Sequence, residues 1–113
     1  VLNFIKLLNK NFIVNQRVTD YTEMLGISKT SLNRKLKTFG KKASDLIKSR
    51  IVLKAKKELL YTNLSISEIS YKLNFSEPSN FNRFFKRLYG CTPMDFRKKY
   101  FKGEENVILA HQE

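Results

Sequence analysis

Two stretches of this chain punctuate a helical pattern in the same way, and that repeated punctuation restricts the fold more than any other feature. Thr22-Glu23-Met24-Leu25-Gly26-Ile27-Ser28 lies over Ser70-Tyr71-Lys72-Leu73-Asn74-Phe75-Ser76 at an offset of 48. Each copy holds a small residue (Thr22, Ser70) and, four positions on, a residue that tolerates positive φ (Gly26, Asn74). An apolar residue and a serine able to cap a new helix follow. A small residue lets two helices cross closely, and the φ-tolerant one makes the tight turn between them, which is helix-turn-helix grammar. Beyond the serine, Leu32-Asn33-Arg34 pairs with Phe81-Asn82-Arg83 at an offset of 49, so the second copy has one extra residue in its first turn. Lys37 and Lys86 correspond as well.

Apolar periodicity extends this reading to an all-α chain of about seven helices, two helix-turn-helix subdomains joined by a long linker helix. Leu2, Ile5, Leu8 and Phe12 mark the first helix, and Val18, Tyr21, Thr22 and Leu25 a second that ends at Gly26. A third starts at Ser28 and carries Leu32, Leu36 and Phe39 on one face until Gly40. The fourth is the longest, from about Ala43 to Tyr61, with an inner stripe of Ile47, Ile51, Ala55 and Leu59 and with Lys48, Lys54, Lys56 and Lys57 largely outward. Ser65 or Ser67 caps a fifth, with Ile66, Ile69 and Leu73, closed by Asn74. Residues 76–89 give a sixth, with Phe81, Phe84, Phe85 and Leu88, stopped by Gly90. Thr92 caps a seventh, with Pro93 in its first turn and Met94, Phe96 and Tyr100 along it. The expected boundaries are 1–42 and 63–102 for the subdomains, 43–62 for the linker, and 103–113 for a frayed tail in which Val107, Ile108 and Leu109 can dock on the body.

Composition supports the architecture and removes most chemistry. Four Gly and two Pro are too few for the many turns of a sandwich or barrel, and nine Phe with five Tyr provide a core. The only His is His111, in the tail, and the only Cys, Cys91, has no His or Asn near it in sequence. No metal cluster, catalytic triad or phosphate loop can be assembled, so no enzyme and no cofactor are expected. No apolar run approaches the 18 or so residues of a bilayer span, and one cysteine cannot form an internal disulfide. A cytoplasmic protein without membrane contact is the expectation. The chain begins with Val, which points to an excised piece of something longer.

Charge supplies the partner. The chain carries 22 Lys and Arg against 10 Asp and Glu, a net +12. Between residues 24 and 44 there are six basic residues and no acidic one, and between 81 and 102 seven basic residues and only Asp95. A solvated face normally mixes signs. Basicity alone suits any polyanion, but with two helix-turn-helix copies it favours double-stranded DNA.

Ser67-Glu68-Ile69-Ser70, Asn74-Phe75-Ser76, Phe81-Asn82-Arg83-Phe84-Phe85-Lys86, Gly90-Cys91-Thr92-Pro93 and Phe96-Arg97 resemble the C-terminal signature of the AraC/XylS family of bacterial transcription regulators. The resemblance covers about residues 1–100. It implies two helix-turn-helix units joined by a long helix, and promoter binding as an activator or, less often, a repressor. Three positions depart from the family pattern: Asn74 stands where Gly is usual, Ser70 where Ala is usual, and Pro78 enters the first turn of the sixth helix where relatives often place a polar base reader.

A recognition helix puts its N-terminal half in the major groove. The expected base-contacting residues are therefore Lys29, Thr30, Asn33, Arg34 and Lys37 in the third helix, and Pro78, Ser79, Asn80, Asn82, Arg83 and Lys86 in the sixth. Arg34 and Arg83 are the leading readers, since guanidinium pairs two-toothed with guanine O6 and N7 and both fall where the resemblance places base contacts. Phosphate clamping is the alternative for them; Asn33, Asn80 and Asn82 can read adenine or merely cap. Lys41, Lys42, Arg50 and Lys99, with the N–H groups at Ser28, Ser65 and Thr92, are expected phosphate positioners. A fourth helix of about 28 Å can space two recognition helices about one DNA turn apart. Expected partners are promoter DNA, an upstream sensor or receiver domain of the same chain and, as one option, RNA polymerase. Two other readings stand beside this one: a complete small regulator without a sensor, and a non-specific nucleoid or RNA-binding helical module.

Overall fold

The computed structural model describes residues 1–101, and the tail with Lys102, His111 and Val107-Ile108-Leu109 lies outside the described residues. Seven helices and no strand are found among the described residues: α1 (Leu2–Asn11), α2 (Val18–Leu25), α3 (Lys29–Lys37), α4 (Ala43–Tyr61), α5 (Ile66–Lys72), α6 (Pro78–Tyr89) and α7 (Pro93–Tyr100). They form two compact units, Val1–Ile51 and Val52–Glu113, with the division falling inside α4.

In the first unit Phe4, Leu8, Tyr21, Leu32, Leu36, Ala43, Ile47 and Ile51 are buried. The Phe4 ring meets Tyr21 edge-on at 5.4 Å, which joins α1 to α2. The Tyr21 hydroxyl donates to the Asn15 carbonyl at 2.7 Å, so its buried oxygen is satisfied. Burial, and secondarily the Asp20 carboxylate, pushes the Tyr21 phenol up to about 12. In the second unit Ala55, Leu59, Ile69, Leu73, Phe81, Phe85 and Phe96 form the core. Phe85 sits 6.0 Å from Phe81 and 5.6 Å from Phe96, both edge-on, so α6 and α7 share one aromatic cluster.

The punctuation works locally as its chemistry requires. Gly26 (φ 66°) and Asn74 (φ 73°) both occupy the left-handed region. The Ile27 amide then closes on the Thr22 carbonyl at 3.1 Å and the Phe75 amide on the Ser70 carbonyl at 2.9 Å, the same bond in both copies. Ser28 and Thr92 cap α3 and α7 through their hydroxyls, and at α5 the capping residue is Ser65. The Ser65 hydroxyl accepts from the Glu68 amide while Glu68 Oε1 accepts from the Ser65 amide, each at 3.0 Å, a reciprocal capping box. These bonds hold the Glu68 carboxyl below its usual value. Asp20 Oδ2 takes the Arg17 amide at 3.2 Å in the equivalent place, so the repeat begins earlier than Thr22 and Ser70.

Several local expectations are corrected. Leu2 is exposed, and Phe4 takes the buried place in the first turn of α1. Phe39 is 63% exposed, because α3 ends at Lys37 and the chain turns through Gly40 (φ 68°) before the apolar face can continue. Leu88, Met94 and Tyr100 are also exposed, although the Tyr100 ring keeps one side against Phe96 at 5.2 Å. Glu77, not Ser76, occupies the N-cap of α6, so the extra residue of the second copy lies in the turn ahead of the helix. Lys54 and Lys56 are half-buried rather than outward: Lys54 pairs with Glu58 at 3.2 Å and Lys56 lies 4.4 Å over the Tyr89 ring.

Candidate nucleic-acid interface

The buried residues of α3 and α6 fix which faces remain open. In α3, Leu32 and Leu36 point into the core, leaving Lys29, Thr30, Arg34 and Lys37 exposed and Asn33 half-buried. In α6, Phe81 and Phe85 are the buried pair, with Ser79, Arg83 and Lys86 exposed and Pro78, Asn80 and Asn82 half-buried. With α3 capped by Ser28 and α6 by Glu77, the two helices match residue for residue at an offset of 49: Arg34 with Arg83, Asn33 with Asn82, Lys37 with Lys86. Pro78 begins α6, where its missing N–H costs nothing.

In the first unit the structure brings predicted base and phosphate residues together. Lys29, Asn33, Lys37, Lys41 and Lys42, with Gly40 and Ser44, line one concavity of about 670 Å³. Four lysines around one recess make an anion-attracting surface, because no carboxylate lies among its walls. Thr30 and Arg34 lie outside that recess. Asn33 is tied to the scaffold: its Oδ1 accepts from the Ala43 amide at 3.0 Å and so serves an otherwise unpaired donor of the first turn of α4. Arg50 Nε donates to Asn9 Oδ1 at 2.8 Å, which ties α4 to the end of α1.

In the second unit Asn80 and Arg83 line a smaller recess of about 480 Å³ with Phe75, Phe84 and Arg87. Asn80 Nδ2 donates to Ser76 Oγ at 3.0 Å, and Asn80 Oδ1 accepts from Arg83 Nη2. Pro78, Ser79, Asn82 and Lys86 lie on α6 outside the recess, and Ser79 Oγ leans on Glu77 Oε2 at 3.4 Å. The Ser65 amide is taken up by Glu68, and Lys99 Nζ lies 5.3 Å over the Tyr100 ring. Arg87 was missed by sequence reasoning, although it belongs to the same basic run as Arg83 and Lys86.

Two further charged residues, Glu58 and Arg97, hold the second unit in shape; sequence reasoning assigns neither a role, although Arg97 closes the C-terminal signature. The Arg97 guanidinium donates to the carbonyls of Leu59 (3.1 Å), Thr62 (3.2 Å), Glu58 (3.5 Å) and Leu64, gathering four carbonyls at and just beyond the end of α4. Glu58, 5% exposed, takes Lys72 at 2.9 Å and Lys54 at 3.2 Å on the same oxygen. Burial alone would raise its carboxyl, but the hydrogen bonds and charges of the two lysines outweigh burial and hold it below its usual value. Among the described residues no group of three or more His, Cys, Asp or Glu can hold a metal ion, and no helix is long and apolar enough to cross a membrane.

The geometry agrees with comparisons to known proteins. A family model described as a helix-turn-helix domain matches residues 21–99. The chain is 35% identical over 86 residues to a probable transcription factor, PqrA of Proteus vulgaris, covering 75% of this chain and 70% of that protein. It is 32% identical over 84 residues to histidine kinase P4 of Formosa agariphila, covering 74% of this chain but 6% of the kinase. Among solved structures, the C-terminal domain of the two-component response regulator yesN from Fusobacterium nucleatum superposes with a TM-score of 0.75 at 26% identity, covering 83% of this chain and 93% of that domain. The chain thus spans a small part of one relative and most of two others. With seven helices, the doubled turn and the matched signature, the chain belongs to the AraC/XylS-type helix-turn-helix family.

Proposed function

We propose that this chain is the DNA-binding part of a bacterial transcription regulator, and that it reads promoter DNA with two helix-turn-helix units, α3 and α6 each entering a major groove. The observation that carries the residue-level reading is the matched register of α3 and α6, which sets Arg34 and Arg83 at the same exposed position of two helices that bury equivalent apolar pairs. Each guanidinium can pair with O6 and N7 of a guanine. Lys29, Thr30 and Lys37 flank Arg34 on the open face of α3, and Ser79, Asn82 and Lys86 flank Arg83 on α6. Lys41, Lys42 and Lys99, with the amides at Ser28 and Thr92, position the backbone through phosphates.

Activation of transcription, with RNA polymerase as a contact, and an upstream sensor or receiver domain belong to the same proposal. The small share of the kinase that this chain spans, and the likeness to the terminal domain of a response regulator, support the longer architecture. Selection of bound duplexes from a random pool tests the function. Enrichment of a motif with two guanine-containing elements supports it; equal recovery of all sequences, with affinity set by salt alone, would identify a non-specific binder instead.

A further inference from the structure

Arg34 and Arg83 are equivalent by register but not by environment. Along α6, Ser76 Oγ receives Asn80 Nδ2 at 3.0 Å, and Asn80 Oδ1 receives Arg83 Nη2. The amide is thus anchored at its nitrogen end and holds the guanidinium with its oxygen. Asn80 is half-buried, while Ser76 and Arg83 are exposed, so the relay runs from the turn along the open side of the helix. Phe75 and Phe84, whose rings lie 5.2 Å apart, line the same recess and form an apolar wall beside it.

In α3 the residue at the matching position is Ser31. Its hydroxyl accepts from the Ser28 hydroxyl at 3.0 Å, and its amide donates to the same oxygen at 3.0 Å, so Ser31 faces the cap and not Arg34. Among the described residues no hydrogen-bond partner holds the Arg34 guanidinium. Of the two arginines, one is oriented before DNA arrives and the other is not.

We propose that Asn80 is a positioning residue for Arg83 rather than a reader of its own, and that it makes the second unit the more discriminating half of the DNA interface. The inference rests on Arg83 being a base reader. A guanidinium already held in one orientation loses less rotamer freedom when it meets guanine, and a fixed fork suits a misplaced acceptor less well than a mobile one. Asn80 uses both ends of its amide inside the protein, which leaves it poorly placed to offer the donor and acceptor pair that adenine requires. Arg34, unrestrained, adapts to neighbouring bases.

The test is a double-mutant cycle on the selected duplex and on the three duplexes that differ from it at the base pair that Arg83 reads. Asn80→Ala lowers affinity for the selected duplex about two- to tenfold and weakens the preference for guanine at that one pair. On an Arg83→Ala background the same change has no further effect. Asn80→Asp keeps an acceptor for Arg83, so it preserves the base preference while weakening binding to all duplexes through its added charge. An additive cycle, or a preference altered by Asn80→Ala at a different base pair, would overturn the proposal and make Asn80 an independent reader. Loss of base preference in neither Arg83→Ala nor Asn80→Ala would remove the base-reading role of Arg83 itself, a result distinct from failure of the relay. A thermal melt of each variant separates these outcomes from loss of fold.

Discussion

The Arg97 guanidinium donates to the carbonyl of Leu59 at 3.1 Å, joining α7 to the last turn of a helix that lies 38 residues earlier in the chain. With the carbonyls of Glu58, Thr62 and Leu64 on the same group, one side chain completes the C-terminus of α4. Burial lowers the guanidinium's pKa but cannot deprotonate it near neutrality. Arg97→Ala is expected to destabilise the second unit by on the order of 2–4 kcal/mol, because several acceptors lose a charged donor together. Arg97→Lys should recover little, since an ammonium cannot reproduce the planar fork. Urea titration of the three proteins checks both statements.

Glu58 predicts an acid-sensitive step. Its native carboxyl titrates below the usual 4.5, so the stability it contributes is complete above that value and is lost as pH falls through the lower native one. Glu58→Gln should cost about 1–2 kcal/mol at pH 7, discounted because both lysines are partly exposed. The gap to the parent protein should close on acidification. Melting temperatures between pH 7 and pH 3 measure it, and a gap that stays constant would show that the two lysines are not its source.

Gly26 tests the turn itself. A Cβ at Gly26 would meet nothing within 4 Å, so any cost of Gly26→Val comes from the backbone at φ 66° and not from a clash. The expected loss is on the order of 1–3 kcal/mol. An unchanged melt would show that this turn tolerates another conformation.

What the sequence disclosed, and what it withheld, follows from distance along the chain. Gly26, Ser28, Ser65 and Thr92 act on amides and carbonyls within a few residues, so their roles were legible as punctuation. The stripe of Ile47, Ile51, Ala55 and Leu59 was legible from its period. Period alone could not show that α3 stops before Phe39, nor choose between Leu2 and Phe4 in one helical turn. Glu58 meets Lys72 across 14 residues and Arg97 meets its acceptors across 33 to 39, and no local pattern announces such pairings. At the interface, the register of Arg34 and Arg83 came from the repeat. The commitment of Asn33 to the Ala43 amide did not, because it depends on how the loop after α3 returns to α4.

Helix α4 is continuous through residues belonging to both units, which makes its length testable. One Ala inserted after Lys56 adds about 1.5 Å and about 100° of helical phase. If one duplex engages α3 and α6 together, cognate affinity should collapse while non-specific binding survives, with circular dichroism confirming retained helix. Unchanged cognate affinity would mean that a single unit carries recognition.

Base reading by Arg34 and Arg83 at equivalent places of two recognition helices is the proposal on which the rest depends. Its most direct measurement is base preference for Arg34→Ala and Arg83→Ala, each profiled against every single-base variant of the selected duplex. Each substitution should cost about 1–3 kcal/mol on the selected duplex, with preference relaxed at one position per variant and the two positions about 10 bp apart. Equal losses on selected and random DNA, with preference intact everywhere, would contradict it and reduce both arginines to phosphate contacts.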